Sequence, residues 1–168
     1  MMLGRGLAVA AVALVLDQIT KALVLGFFGE PGCALHRVRV SPFFDLVLTC
    51  NPGVSFGLFN RTGVSSLIFS LLALVIILVL LIWLGRVRAT FLAAAIGLVI
   101  GGAIGNVVDR LRYGAVIDFL DFHLASWHWP AFNLADSAIC LGVAAMLVDG
   151  MLARRAAPQA KGKEDLSP

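Results

Sequence analysis

Long uncharged stretches separated by short polar segments set the pattern of this chain. The clearest is Val64–Leu84, where no charge falls between Arg61 and Arg86. At 1.5 Å rise per residue, about 20 such residues cross about 30 Å of hydrocarbon as one helix. Val64–Leu84 is the second such block along the chain. Leu7–Phe28, interrupted by Asp17 and Lys21, is the first, Thr90–Val108 is the third, and the fourth runs from about Asn133 to Val148. The apolar residues come in blocks without the period-two alternation of a membrane barrel, so helices are predicted. Between the first two spans the period changes. Leu35-His36-Arg37-Val38-Arg39-Val40 alternates, Phe44–Leu48 follows after Ser41-Pro42, and Gly114–Phe122 offers a further strand. The expectation is an all-α polytopic membrane protein with four transmembrane helices and a small antiparallel β element outside the bilayer.

Composition agrees. The 168 residues are 60% hydrophobic and only 14% charged, with mean hydropathy +0.97, whereas soluble domains are about half apolar and about a quarter charged. The length suits a single membrane-embedded domain, taken as residues 1–155, with the polar segment 156–168 expected to be a disordered cytoplasmic tail. The net charge of +3 does not indicate nucleic acid, because the basic residues flank the apolar blocks. Arg5, Arg86, Arg88, Arg154, Arg155, Lys161 and Lys163, seven of the thirteen Lys and Arg, fall on one side of a four-span arrangement. That side is predicted to be cytoplasmic and to hold both termini, which leaves Gly29–Gly63 and Asp109–Ala131 outside. Arg5 followed by Leu7–Leu16 resembles a signal sequence, but no small-residue cleavage site follows, so an uncleaved first helix is expected. Trp127 and Trp129 precede the fourth span, where an interfacial aromatic belt belongs. His123 and His128, five apart beside them, are read as interfacial packing residues rather than metal ligands. A Cys33–Cys50 disulfide would need both cysteines outside the cytoplasm. The odd count and lack of patterned spacing argue against it, and Cys33, Cys50 and Cys140 are all read as structural.

The third block carries Gly97, Gly101 and Gly105 at steps of four, with Gly102 and Ala103 between. A stripe of this kind lets another helix approach closely. Charged and amide residues inside apolar blocks are costly, so they mark candidate chemistry. Asp17 and Lys21 share a helical face in the favourable acid-before-base order, either as an ion pair that positions the helix or as a substrate contact. Asn51-Pro52-Gly53-Val54-Ser55-Phe56-Gly57 reads as a loop entering the second span. Asn106, Asp109 and Arg110 close the third, as an interface marker or as part of a site. Asp118 stands among Val116, Ile117 and Phe119. Asp136 follows Asn133 by one turn at the amino end of the fourth span, where the macrodipole favours negative charge. If the strand bearing Asp118 folds onto the top of that helix, the two carboxylates share a proton and activate water. Otherwise they are one loop carboxylate and one helix cap.

Taken together, these pieces resemble the bacterial lipoprotein signal peptidase (signal peptidase II, prolipoprotein signal peptidase) family. The matching motifs are Asp17-Gln18-Ile19-Thr20-Lys21, Asn51-x-Gly53-x-x-Phe56-Gly57, Gly101–Arg110, Val116-Ile117-Asp118-Phe119 and Phe132-Asn133-Leu134-Ala135-Asp136-Ser137, in family order from about residue 14 to 145. The resemblance implies a four-helix inner-membrane aspartyl endopeptidase with an extracytoplasmic β cradle and its active site near the outer face. Such enzymes cleave prolipoproteins before the diacylglyceryl-modified cysteine of the lipobox. It assigns catalysis to Asp118 and Asp136. Support or substrate contact falls to Asp17, Lys21, Asn51, Gly53, Asn106, Asp109, Arg110, Asn133 and Ala135. It implies no metal or cofactor, and a monomer whose partners are prolipoprotein substrates and membrane lipids. Pro52 departs from the usual Thr, and Val54-Ser55 from small alanines. These changes are expected to reshape the approach to Asn51, bearing on substrate preference more than on chemistry. Two rival functions use the same residues: an ion-coupled transporter relaying through Asp17, Lys21 and Asp136, and a noncatalytic scaffold binding partner helices along the glycine stripe.

Overall fold

The computed structural model describes residues 2–29, 35–53 and 64–156. Four helices, α1 (Met2–Phe28), α2 (Val64–Leu84), α3 (Thr90–Tyr113) and α4 (Leu134–Ala156), are each long and apolar enough to cross a membrane. Strands β1 (His36–Ser41), β2 (Phe44–Asn51), β3 (Val116–Leu124) and β4 (Trp127–His128) form an antiparallel sheet in the order β1-β2-β3-β4. The strands fall where the alternating segments predicted them, with β4 added after a tight turn at Ala125, whose φ is 53°. Three helices outrun their apolar blocks. α1 begins at Met2, α3 continues past Val108 to Tyr113, and α4 runs on to Ala156. In α3 the extension carries Asp109 and Arg110 and stops at Gly114, which is left-handed (φ 74°) and donates its N–H to the Arg110 carbonyl. The helix thus ends where its backbone groups are capped and not where apolar residues run out.

α3 is the central helix and packs against all three others. α2 turns only one face toward it: Ile77, Leu80 and Leu84 are buried with Ala93, Ile96, Val99 and Ile100, while Leu67, Leu71, Leu74 and Leu78 are exposed. That distribution is what a lipid-facing helix requires, because lipid and core are equally apolar. The glycine stripe makes the central position possible. A Cβ on Gly97 would overlap the Gly6 carbonyl oxygen, and one on Gly101 the Ala10 carbonyl oxygen, both of α1. On the opposite side a Cβ on Gly102 would overlap the Ala135 carbonyl oxygen at the top of α4. The sheet sits beyond the end of α1, where Val24 packs with Leu48, Ile117 and Phe119 in a second small core.

Cys50 is disulfide-bonded, which the cysteine spacing gave no reason to expect, while Cys140 is free and exposed. Cys33, Val54, Ser55, Phe56, Gly57 and the tail 157–168 lie outside the described residues.

Gly101→Ala is expected to destabilise the bundle by ~1–3 kcal/mol, the usual cost of overpacking a tight contact. Thermal unfolding in detergent checks this. Gly4→Ala, where nothing lies within 4 Å of the added carbon, should not lower the melting temperature.

Candidate active site

The polar residues of the spans converge on one place, where the top of α4, the end of α3 and the start of β3 meet. Asn133 precedes α4 and caps it. Its Oδ1 accepts the Asp136 N–H at 2.8 Å, and an Asp136 carboxylate oxygen accepts the Asn133 N–H at 3.4 Å. This is the reciprocal geometry of a capping box, and it fixes the Asp136 side chain at the amino end of the helix. The Asn133 side-chain amide then donates to Asp118 Oδ1 at 2.8 Å. One asparagine therefore touches both candidate carboxylates. Asn106 completes the arrangement from α3, donating to Asp136 Oδ1 at 2.8 Å and accepting from Asn133 at 3.2 Å.

Beneath this pair lies an ion cluster. Lys21 Nζ is 2.8 Å from Asp17 Oδ2 and 2.7 Å from Asp109 Oδ2, and all three residues are at most 2% exposed. The same ammonium donates to Asn106 Oδ1 at 3.3 Å. Each carboxylate also accepts a backbone N–H. Asp17 Oδ1 takes that of Ala135 at 2.9 Å, and Asp109 Oδ2 takes that of Ile117 at 3.1 Å. Those N–H groups stand one residue before Asp136 and one residue before Asp118. The cluster thus holds the two backbone segments that present the pair. Gln18, absent from the sequence-based selection, bridges it by donating to Asp17 and Asp109, both at 3.1 Å. Its place beside Asp17 in an otherwise apolar helix was the available signal.

From the sheet, Asn51 donates to Asp118 Oδ2 at 3.1 Å, and its Oδ1 accepts the Gly53 N–H at 2.8 Å. This is an Asx-type turn, and Gly53 adopts φ 96° within it. Asn51 thus reaches Asp118 with Pro52 beside it in the turn. Arg110 is half-buried, 3.5 Å from the Asn106 carbonyl oxygen, with its guanidinium over the Phe69 ring. All the residues selected from sequence meet here. Phe69 was missed because one aromatic among many in an apolar helix carries no pattern.

The two carboxylates occupy different environments. Asp118 is 2% exposed, whereas Asp136 is half-buried. Burial pushes the Asp118 carboxyl up to about 7, and the neighbouring Asp136 charge adds to the rise. The hydrogen bonds from Asn51 and Asn133 and the charge of Lys21 act in the opposite direction. An acid that keeps its proton near neutrality beside a more accessible carboxylate is the arrangement needed for paired acid and base chemistry.

His123 and His128 lie apart from this site. Their rings are tilted by 30° with centroids 4.8 Å apart, His123 Nε2 lies 3.2 Å from Asp45 and His128 Nδ1 2.9 Å from Asp121. Arg37 reaches both acids, at 3.4 and 3.1 Å. Beyond the packing expected of them, these histidines join a polar layer with Arg37, Asp45 and Asp121 on one face of the sheet.

Comparison with known proteins follows the same lines. A sequence model described as Signal peptidase (SPase) II matches residues 9–152. The chain is 43% identical over 161 residues to a lipoprotein signal peptidase of Beijerinckia indica, covering 94% of this chain and 95% of that protein. It is 44% identical over 157 residues to one of Rhodopseudomonas palustris (90% and 94% covered), and 40% identical over 157 residues to one of Vibrio cholerae (92% and 91% covered). Two solved structures of a bacterial membrane enzyme share the fold. One has TM-score 0.73 at 25% identity over 88% of this chain and 93% of that one, the other TM-score 0.72 at 23% identity over 98% and 95%.

Lys21→Met would leave Asp17 and Asp109 buried without their cation. The expected cost is ~3–5 kcal/mol, that of breaking a buried ion pair from one side, read as a lowered melting temperature in detergent.

Proposed function

Because the chain belongs to the signal peptidase II family, we propose that Asp118 and Asp136 are the catalytic pair with which it removes signal peptides from prolipoproteins. It is an aspartic peptidase and a multi-pass protein of the bacterial inner membrane. The observation that carries the assignment of the pair is the double engagement of Asn133, which donates to Asp118 and caps Asp136. Two carboxylates from separate elements are thereby held on one amide.

In the proposed mechanism no covalent intermediate forms. Asp136, the more accessible member at the helix amino end, is ionised and takes a proton from water. That water attacks the carbonyl preceding the diacylglyceryl-modified cysteine. Asp118, protonated because it is buried, donates a hydrogen bond to the carbonyl oxygen and stabilises the tetrahedral adduct. Collapse of the adduct breaks the carbon–nitrogen bond, and the proton held by Asp136 passes to the departing cysteine amine. The charge pattern supports cytoplasmic termini and a site near the outer face, where acyl chains stay in lipid while water reaches the pair. Residues 1–155 act as one membrane-embedded unit, working as a monomer.

The test is a gel-shift cleavage assay with purified protein in nanodiscs and a diacylglyceryl-modified prolipoprotein. Asp118→Asn and Asp136→Asn are each expected to lose at least ~10²-fold in rate, the low end of what a general acid or base contributes, while melting like the parent. Cleavage surviving in either variant sinks the assignment. A second expectation concerns pH. Asp118 must hold its proton to act as the acid, so kcat/KM should fall as pH rises through about 7. A profile flat from pH 6 to 9 would contradict that role.

A further inference from the structure

Phe69 stands near the start of α2, 37% exposed, with no charge or hydrogen-bonding group in its side chain. Its ring nevertheless touches two separate parts of the site. The Arg110 guanidinium carbon lies 5.8 Å from the ring centroid, within cation–π range. The second contact is with Gly53, where a Cβ would come within 2.6 Å of Phe69 Cδ2. Gly53 in turn fixes the Asn51 side chain that donates to Asp118.

Arg110 is otherwise weakly held. It donates to the Asn106 carbonyl oxygen at 3.5 Å, and its buried Nε has no hydrogen-bond partner among the described residues. The guanidinium interacts through space with Asp136, Asp109 and Asp118. A cation beside three carboxylates and tied to none of them is oriented by whatever covers its face, and the Phe69 ring does so.

We propose that Phe69 is a positioning residue for peptide cleavage, its ring orienting the Arg110 guanidinium beside the aspartate pair and holding the Gly53 turn that keeps Asn51 on Asp118. The proposal rests on the catalytic assignment of Asp118 and Asp136. Nothing in it requires Phe69 to touch the substrate.

The experiment measures kcat, KM and the pH profile of the full chain in nanodiscs with a diacylglyceryl-modified prolipoprotein. Phe69→Leu keeps most of the apolar bulk and removes the ring. Its kcat should fall about tenfold, the order expected of a partly desolvated cation–π contact, with KM within about twofold of the parent. Its alkaline limb should move to higher pH, because the Asn51 hydrogen bond favours ionised Asp118 and weakening it favours the proton. Phe69→Tyr, which keeps the aromatic face, should restore both. Trifluorophenylalanine at position 69 keeps the shape and weakens the ring quadrupole, so it reads the same contact if Phe69→Leu fails to fold, and it too should lower kcat. An unchanged kcat in the fluorinated protein, a loss confined to KM, or a Tyr variant no better than Leu each overturns the proposal. Asp118→Asn run alongside separates the two levels. If it stays inactive while Phe69→Leu is normal, only the role of Phe69 fails. If it is active, the catalytic assignment fails first.

Discussion

One buried ammonium holds this structure's polar centre together. Lys21 lies between Asp17 and Asp109, and each carboxylate uses a second oxygen or lone pair to take a backbone N–H. Desolvating three charges is expensive, and the cost is tolerable only because the hydrogen-bonding capacity of the carboxylates is nearly filled. What the cluster provides is location. The N–H groups it captures belong to Ile117 and Ala135, so α1, α3, β3 and α4 are tied together one residue from each proposed catalytic aspartate. The same closure counts against an ion relay through Asp17 and Lys21. A relay needs groups that exchange partners, and these are locked to groups on two other elements, α3 and α4.

The glycines of α3 make that cluster geometrically possible. Lys21 reaches Asp109, and Asp17 the Ala135 N–H, because α1 and α4 approach α3 at the van der Waals limit of their backbones, against Gly97, Gly101 and Gly102. A larger residue at any of them would push apart the elements whose side chains must meet. Packing and electrostatics are therefore not separate contributions here: small residues set the interhelical distance, and the ion cluster depends on it. The scaffold reading of the glycine stripe is thus answered within the chain, since the stripe is filled by α1 and α4.

Much of this was legible in the sequence, and the exceptions have physical reasons. The spans followed from uncharged length, and the strands from alternation at 35–40 and 44–48. The polar residues selected as candidates do meet, because an ionisable group inside an apolar span must find partners and few are available. Helix ends were less legible. α3 runs to Tyr113 because Gly114 caps it, and hydropathy does not register a cap. Gln18 was overlooked beside a more conspicuous charge. Phe69 was invisible because its contribution is a contact across three elements, and a single aromatic in an apolar helix has no periodicity to betray it. The polar layer of Arg37, Asp45, Asp121, His123 and His128 is likewise a product of strand register: Asp45 pairs with Asp121, and His123 with His128, only once β2, β3 and β4 are aligned.

The difference between the two aspartates follows from where their elements end. β3 carries Asp118 inward, under Asn51 and Asn133, so burial and the neighbouring charge hold its proton near neutral pH. α4 begins at Leu134, just before Asp136, so that carboxylate sits at a helix amino end and half open to its surroundings. A pair buried alike would compete for one proton without a fixed assignment. A pair exposed alike would both ionise and leave no acid. The junction of a strand and a helix supplies one site of each kind. Asn133, capping the helix while donating to the strand's carboxylate, keeps the two at a set separation whichever holds the proton. In the proposed mechanism that asparagine is what makes two unlike carboxylates work as one pair.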